Sequence, residues 1–293
     1  MSTQKSLAKA VSAKLSQLAR AQAKPYDKLL TLFLLERIVS RLVFDPVLAQ
    51  ALVFKGGYVS VRVYDSPRFT VDVDAVLHGL SQEAALQKIK EQMLVQHPDA
   101  AWFVFAEEKD LATQNEYGGK RLSYRAGLGE IATNLQRAQL IDIDIGTGDP
   151  VTPAPQLIET TSVLGDTSLS WQVYPVETIL AEKLHSLISR GAANSRAKDV
   201  FDTGLLLPKA DVKTLHAALQ ATFKYRGDAL PNDIAAILEE LDTTLLEKGW
   251  KSAAGYIAGA GDLKTTLEKI VSWFRKNFLL IPHAFLTSSC WNG

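Results

Sequence analysis

Two segments of the sequence alternate apolar and polar residues, which is the period of a β-strand, and each segment carries two aspartates. The first is RFTVDVDAVL, residues 68–77, and the second is QLIDIDIGTG, residues 139–148. Because residues two apart in a strand face the same way, Asp72 and Asp74 share one face, as do Asp142 and Asp144. Carboxylates this close repel each other and resist burial, so solvent, a basic side chain or a divalent cation must offset their charge.

The two aspartate pairs admit two interpretations. A single pair would be best explained as the solvated face of an edge strand. Two pairs in otherwise apolar strands favour a metal site more strongly, because hard cations such as Mg²⁺ bind carboxylate oxygens. Two such strands could hold two ions roughly 3.5–4 Å apart, an arrangement used for displacement at phosphorus. On spacing alone, the two interpretations remain about equally supported.

The composition bounds the other possibilities. Of the 293 residues, 47% are hydrophobic and 22% are charged, which is typical of a globular protein. The formal net charge is zero, which disfavours a strong overall attraction to nucleic acid but is compatible with a local basic patch. The single cysteine, Cys290, provides neither a disulfide framework nor a cysteine-based zinc site. The sequence has no signal peptide and no apolar run long enough to cross a bilayer, so we expect a cytoplasmic protein without a membrane partner.

Helical periodicity flanks the strands on both sides. Residues 6–48 carry an apolar stripe at three- and four-residue steps, and residues from 176 onward are again mostly helical. Between them lie the aspartate strands, an amphipathic helix and two further strands, and the prolines at 150, 153 and 155 interrupt the pattern. This order predicts an α+β fold with two lobes, residues 1–170 and 171–293, and a cleft between the lobes.

Three blocks of the chain resemble one protein family. The segment FKGGYVSVRVYDSPRFTVDVDAVL resembles the signature of the nucleotidyltransferase AbiEii/AbiGii toxin family, which has the pattern K-G-G, a gap, and then R-x-T-x-D-x-D. IDIGTGD resembles the third-carboxylate strand of that family, and PVETILAEKLHSLISRGAANSRAKDVFDTGLLL resembles its lysine helix and the D-x-x-D helix that follows. The blocks occur in the family's order within residues 25–280. The matching positions are Lys55, Gly56, Gly57, Arg68, Thr70, Asp72, Asp74, Asp144, Glu177, Lys183, Arg190, Arg196, Lys198, Asp199 and Asp202.

The resemblance implies a fold and an activity. The fold would be that of the DNA polymerase β type of nucleotidyltransferase: a mixed-sheet core with N-terminal helices and a C-terminal helical lobe that completes the active-site cleft. The activity would be transfer of a nucleotide from an NTP, dependent on Mg²⁺ or alternatively Mn²⁺. Several members are toxins of toxin–antitoxin pairs, which implies a cognate antitoxin and a phage-defence role, and some members add nucleotides to the 3′ acceptor end of tRNA.

The resemblance also implies roles for individual residues. Asp72, Asp74 and Asp144 would hold the metal and act in catalysis, with Asp144 accepting the proton of the attacking hydroxyl. Lys183 and Asp199 complete the catalytic set, with Lys183 also on the triphosphate. The nucleotide-binding residues would be Lys55, Gly56, Gly57, Arg68, Thr70, Lys183 and Arg196.

One position departs from the family pattern. Many members carry a small hydroxyl residue after the glycine pair, whereas this chain has Tyr58, with Ser60 two residues further on. The stretch GYVSVRVY is also rich in β-branched residues, so its propensity favours a strand. The family fold implies a helix here, with its N-terminus toward the triphosphate, and we follow the family. Backbone N–H groups of Gly56 and Gly57 would then make the phosphate contacts.

Several alternatives stay open at this point. The basic residues Lys120, Arg121, Arg125 and Arg137 could follow a phosphate backbone or form a solvated face. The acceptor could instead be a protein hydroxyl or a small molecule such as an aminoglycoside. The chain could also be a non-catalytic nucleotide-binding module, for which the departure at Tyr58 is the one supporting feature.

Overall fold

The computed structural model of the chain describes residues 3–111, 118–254 and 261–278, and Cys290 lies outside these ranges. The chain divides into two compact units. The first consists of Met1–Asp65, Phe69–Asp149 and Pro155–Tyr174, and the second of Ser66–Arg68, Pro150–Ala154 and Pro175–Gly293. The single boundary at residue 170 stays a prediction.

The first unit contains helices and all the strands of the described residues. Side-chain caps fix two of its helix starts: Asp45 accepts from the N–H groups of Val47 and Leu48, and Ser81 accepts from that of Ala84. The helices are α1 (Thr3–Ala21), α2 (Tyr26–Phe44), α3 (Pro46–Ala51), α4 (Gly56–Val63) and α5 (Gln82–Leu94). The strands are β1 (Leu52–Lys55), β2 (Asp72–Leu77), β3 (Ala101–Asp110), β4 (Gly119–Leu128), β5 (Gln139–Thr147), β6 (Gln156–Thr161) and β7 (Ser168–Val173).

The seven strands form one mixed sheet in the order β3-β4-β5-β2-β1-β7-β6. The strand β2 pairs in parallel with β5 and antiparallel with β1, and β1 pairs in parallel with β7. The central strands bury Phe54, Val73 and Ile143 completely, while the aspartates that alternate with the valine and isoleucines remain half-buried. The alternation seen in the sequence is therefore the alternation between core and polar face.

The second unit is helical in its described residues. Its helices are α6 (Val176–Arg190), α7 (Ala197–Leu206), α8 (Val212–Tyr225), α9 (Ile234–Glu239), α10 (Thr244–Ala254) and α11 (Leu263–Asn277). Helix α6 packs against α7 and α8, and α11 packs against α7 and α9. The core of the unit includes Ile179, Leu180, Leu184 and Leu187, which lie at helical spacing along α6.

The α+β class predicted from the sequence is confirmed. The residues of GYVSVRVY form helix α4 and not the strand that their propensity favours, so the expectation from the family was the better guide. The predicted helical region after residue 176 contains α9 and α10 as separate helices, and Asp242 accepts from the N–H of Thr244 at the start of α10. The strands β1, β6 and β7 were not predicted from the sequence. Among the described residues, no helix has the length and apolar character needed to cross a membrane.

Candidate active site

Four carboxylates lie side by side on two neighbouring strands of the first unit. The parallel register of β2 and β5 places Asp72 opposite Asp142 and Asp74 opposite Asp144. Adjacent strands are about 4.8 Å apart, so each pair lies within reach of a common ligand. All four side chains are half-buried, and apolar neighbours in each strand fill the opposite face. The structure thus places the three predicted metal-ligand aspartates side by side, together with Asp142, which was not predicted as a ligand.

Two hydroxyl groups orient the outer members of this carboxylate patch, by which we mean Asp72, Asp74, Asp142 and Asp144. The hydroxyl of Thr70 donates to Oδ1 of Asp72. That of Ser123, on β4, donates to Oδ1 of Asp142 at 2.6 Å. Thr70 is a predicted nucleotide-binding residue, and its side chain supports the predicted metal ligand Asp72.

A guanidinium group covers one side of the patch. Arg121, on β4, donates from Nε to Oδ1 of Asp144 at 2.7 Å and from Nη2 to Oδ2 at 2.6 Å. Its Nη1 lies 3.3 Å from Oδ2 of Asp142. The hydrogen bond to Asp144 is the main cause that raises the pKa of Arg121, and the charges of Asp142 and Asp72 act in the same direction. The patch is therefore partly neutralised from within the same sheet.

The glycine pair lies where β1 ends and α4 begins, next to the patch. Gly56 has φ +70°, and a Cβ built on it would lie 2.0 Å from Oδ2 of Asp74. Only glycine permits this approach of the backbone to a carboxylate. The first turn of α4 follows directly, and the N–H groups of a first helical turn have no partners within their helix. The glycine pair therefore places Asp74 beside the electropositive N-terminal end of α4.

The residues that follow the glycine pair face the core. Tyr58 is 1% exposed, and its ring centroid lies 5.4 Å from that of Trp171. Burial raises the pKa of the Tyr58 phenol above its usual range. The hydroxyl of Ser60 donates to the carbonyl of Gly56 at 3.0 Å. Tyr58 is thus a packing residue whose side chain lies in the core.

Lys55 occupies the last position of β1, opposite Asp74 in the antiparallel register with β2. Its Nζ donates to Oδ2 of Asp149 at 2.8 Å and lies 5.2 Å from the ring centroid of Tyr174. Both members of the pair are largely buried. Asp149 belongs to the segment IDIGTGD and is not among the site residues predicted from the sequence.

A second cluster of charges lies in the helical unit. The Nζ of Lys183, on α6, is 2.9 Å from Oδ1 of Asp199 and 2.7 Å from Oδ2 of Asp202, both on α7. Nε of Arg68 is 3.2 Å from Oδ1 of Asp202, which is fully buried. Arg196 is more exposed, with Nη1 3.7 Å from Oδ2 of Asp199. The predicted residues Lys183, Asp199, Arg68 and Arg196 are therefore neighbours within this unit.

Opposite charges dominate the electrostatics of this cluster. Burial alone would lower the pKa of Lys183, but Asp199 and Asp202 raise it above the usual range. Burial alone would raise the pKa of Asp199, but Lys183 holds it below the usual range. Both groups are consequently charged at neutral pH. Asp199 and not Asp202 is the predicted catalytic residue, whereas both carboxylates contact the lysine.

The fit of the carboxylate patch to a divalent cation can be judged from its donors. Four carboxylates supply the oxygen ligands that hard cations prefer. Among the described residues, however, no three acidic, histidine or cysteine side chains already surround a common point. The fork of Arg121 on Asp144 occupies one side of the patch. The donor chemistry therefore fits a cation, and one of the four donors, Asp144, is paired with the guanidinium of Arg121.

The other basic residues near β4 are also paired. Nζ of Lys120 lies 2.7 Å from Oδ1 of Asp110, and Arg125 donates from Nη1 to the carbonyl of Ala138 at 3.1 Å. Lys120 and Arg121 project from opposite faces of β4, because adjacent residues of a strand do so. Lys120 and Arg121 therefore do not share one face of the strand.

Comparison with known proteins decides the family. The family described as "Nucleotidyl transferase AbiEii toxin, Type IV TA system" matches residues 37–273. The chain belongs to the AbiEii nucleotidyltransferase toxin family. The resemblance seen in the sequence is thus confirmed, and the chain is a nucleotidyltransferase. AbiEii proteins use an NTP and a divalent metal, and membership of a type IV toxin–antitoxin system implies an antitoxin.

Solved structures support the same fold. A candidate nucleotidyltransferase from Helicobacter pylori is 17% identical, with a TM-score of 0.50 over 83% of this chain and 91% of that chain. JHP933, also from H. pylori, is 15% identical, with a TM-score of 0.51 over 86% of this chain and 93% of that chain. At this identity the likeness concerns the fold alone. No curated protein matches the chain.

Proposed function

We propose that this AbiEii-family chain transfers a nucleoside monophosphate from an NTP to the 3′ acceptor end of tRNA in a Mg²⁺-dependent reaction. It would act in the cytoplasm as the toxin of a phage-defence system, opposed by a cognate antitoxin. The observation that carries the proposal is the carboxylate patch, since Asp72 and Asp74 lie in register with Asp142 and Asp144 beside the glycine turn. The acceptor rests on the family resemblance alone.

In this proposal the metal ligands are Asp72, Asp74 and Asp144, with Mn²⁺ as an alternative ion. When bound, the ion would supply Lewis-acid stabilisation of the charge on the α-phosphoryl group and on the pyrophosphate. Thr70 holds Asp72 in place through its hydrogen bond. Asp144 accepts the proton of the attacking hydroxyl, which requires that it be ionised.

The triphosphate would be bound by backbone N–H groups and by cationic side chains. Gly56 and Gly57 offer their N–H groups at the start of α4, where the helix dipole favours an anion. Lys55, Arg68, Lys183 and Arg196 are assigned to the phosphates by the family pattern, and Asp199 orients Lys183 through the 2.9 Å contact. Lysine acts on a phosphate as a point charge and arginine through its planar fork.

The test is a panel of the four α-labelled NTPs, each incubated with the protein, Mg²⁺ and total RNA. We expect label on tRNA from at least one NTP, and none with Asp72→Ala. Asp110→Ala is the matched control, because that carboxylate lies on β3 and its side chain is 83% exposed. Absence of label from both RNA and protein would contradict nucleotidyl transfer under these conditions.

A second acceptor class is favoured by one observation. The formal net charge of zero offers no overall attraction to a long RNA. Label recovered on protein, or on an aminoglycoside added to the reaction, would replace tRNA in the proposal while leaving the chemistry of the patch unchanged. Normal growth on induction, with no NTP turnover, would instead support a non-catalytic nucleotide-binding module.

A further inference from the structure

We propose that Arg121 is a built-in counter-cation of the carboxylate patch, and that its pairing with Asp144 competes directly with divalent-cation binding there. This inference rests on the proposed function, because it concerns the same metal ligands. Arg121 would therefore be a positioning residue that sets the affinity of the site.

The contacts of Arg121 are specific to the carboxylates. Two nearly parallel hydrogen bonds, 2.7 and 2.6 Å long, join Nε and Nη2 to the two oxygens of Asp144. A third nitrogen, Nη1, reaches Asp142 at 3.3 Å. Such a bidentate pair is the strongest form of charge-assisted hydrogen bond between these groups. The guanidinium thereby spans the two aspartates of β5.

The position of Arg121 leaves it able to withdraw. Its side chain is 38% exposed, whereas that of Asp144 is 13% exposed, so the arginine approaches the patch from the solvent side. A divalent cation on Asp144 would lie within a few ångströms of the guanidinium, and like charges at that distance repel strongly. Simultaneous binding of both cations at Asp144 is consequently unfavourable, so each cation weakens the binding of the other.

The neighbouring Arg125 provides a contrast on the same strand. It lies four residues further along β4 and therefore on the same face. Its guanidinium donates to the carbonyls of Gln136 and Ala138 and to the side chain of Gln136, not to the patch. Register explains the difference, since Arg121 lies opposite Asp144 whereas Arg125 lies opposite Leu140.

The experiment measures the affinity of the full chain for Mn²⁺ without nucleotide, by following free Mn²⁺ in electron paramagnetic resonance titrations. Arg121→Gln should bind Mn²⁺ about tenfold more tightly than the wild type or better, since a hydrogen-bonded charge pair is worth about one such factor. The control Arg125→Gln removes the same charge from the same face and should change the affinity by less than about twofold.

A double-mutant cycle separates direct competition from a general effect of charge. In an Asp144→Asn background, Arg121→Gln should raise the Mn²⁺ affinity by only about twofold, because the carboxylate for which Arg121 and the cation compete is gone. An equal gain in both backgrounds, or no gain from Arg121→Gln in a chain that does bind Mn²⁺, would overturn the inference and leave the proposed function standing. Absence of Mn²⁺ binding in every variant would overturn both.

A second variant covers the case in which Arg121→Gln does not fold. Arg121→Lys keeps the charge but cannot form the two parallel hydrogen bonds. We expect its Mn²⁺ affinity to rise a few-fold and its metal-free thermal midpoint to fall, with saturating Mn²⁺ restoring the midpoint toward that of the wild type. An affinity equal to or below that of the wild type would contradict competition by the fork.

Discussion

Replacement of Gly56 by alanine tests the close packing of the glycine turn against the carboxylate patch. Gly56 has φ +70°, a conformation that costs an alanine about 1–2 kcal/mol. The added Cβ would lie 2.0 Å from Oδ2, 2.7 Å from Cγ and 3.0 Å from Cβ of Asp74. No carboxylate can stay at such distances, so Asp74 or the start of α4 must move.

The expected magnitude has two parts. The backbone conformation contributes about 1–2 kcal/mol, and forcing an atom into filled space contributes about 1–3 kcal/mol more. Gly56→Ala should therefore lower the free energy of unfolding by about 2–5 kcal/mol. Because the displaced side chain is a predicted metal ligand, nucleotidyl transfer should be lost at temperatures where the variant is still folded.

Gly79 supplies a matched control. Its φ is +68°, but a Cβ built on it would meet no atom within 4 Å. Gly79→Ala should therefore cost only the backbone part and retain activity. Urea unfolding measures the difference in destabilisation between Gly56→Ala and Gly79→Ala. In an Asp74→Ala background, which lacks the carboxylate that the new Cβ would meet, this difference should shrink by about 1–3 kcal/mol. Equal destabilisation by the two glycine substitutions would refute the reasoning.

Three further outcomes can be checked on the same preparations. Lys183→Met should lower the free energy of unfolding by about 3–5 kcal/mol, because it removes the nearest cation of two largely buried carboxylates, whereas the exposed Lys198→Met should change it by less than about 0.5 kcal/mol in urea unfolding. Tyr58→Ser, which installs the small hydroxyl common in the family, should cost about 3–5 kcal/mol because it empties the space against Trp171, and an unchanged unfolding midpoint would contradict that role. The folded-state pKa of Asp199 lies below its usual value of 3.8, so the stabilisation from its ion pair should be present above pH 3.8 and lost as the pH falls through the folded-state pKa. The unfolding midpoints of wild type and Asp199→Asn should therefore converge in acid, and a constant gap would contradict the pairing.

The period of the sequence was enough to find the two strands that matter most. In β2 and β5 strict alternation separates buried Val73 and Ile143 from the aspartates, and this signal depends only on local geometry. The strand β1 has four residues and is almost fully buried, so it shows no alternation to detect. The strand β7 does alternate, with Leu169, Trp171 and Val173 buried, so this strand was predictable from the sequence.

Propensity failed where tertiary packing decides the backbone. The β-branched residues of GYVSVRVY suit a strand, yet burial of Tyr58 and Val59 in helix α4 outweighs a preference that spans only about 1 kcal/mol per residue. The family pattern carried the correct information because it encodes that packing. Tyr58 departs from the small hydroxyl residue of the family pattern, and its burial against Trp171 accounts for the departure as a packing role.

The partners of the site residues could not be predicted, because they depend on long-range register. Arg121 meets Asp144 through the antiparallel pairing of β4 with β5, and the connection between these strands, residues 129–138, is too long for turn geometry to fix the register. A shift of two residues would have paired Asp144 with Ser123 or Gly119 instead. The sequence therefore predicts which aspartates share a face, but not which cation meets them.

These pairings change how the zero net charge should be understood. Within the first unit, Arg121 pairs with Asp144 and Lys55 with Asp149; within the second, Lys183 pairs with Asp199 and Asp202. Groups of both signs that the family assigns to metal and triphosphate are thus already engaged with protein partners. A cation or an anionic substrate must exchange with these partners, so its observed affinity is the difference between two interactions and not the strength of one. Because the same exchange would release Arg121 as Asp144 gains a cation, the patch and its counter-cation respond together, and replacement of this arginine should raise the affinity for metal.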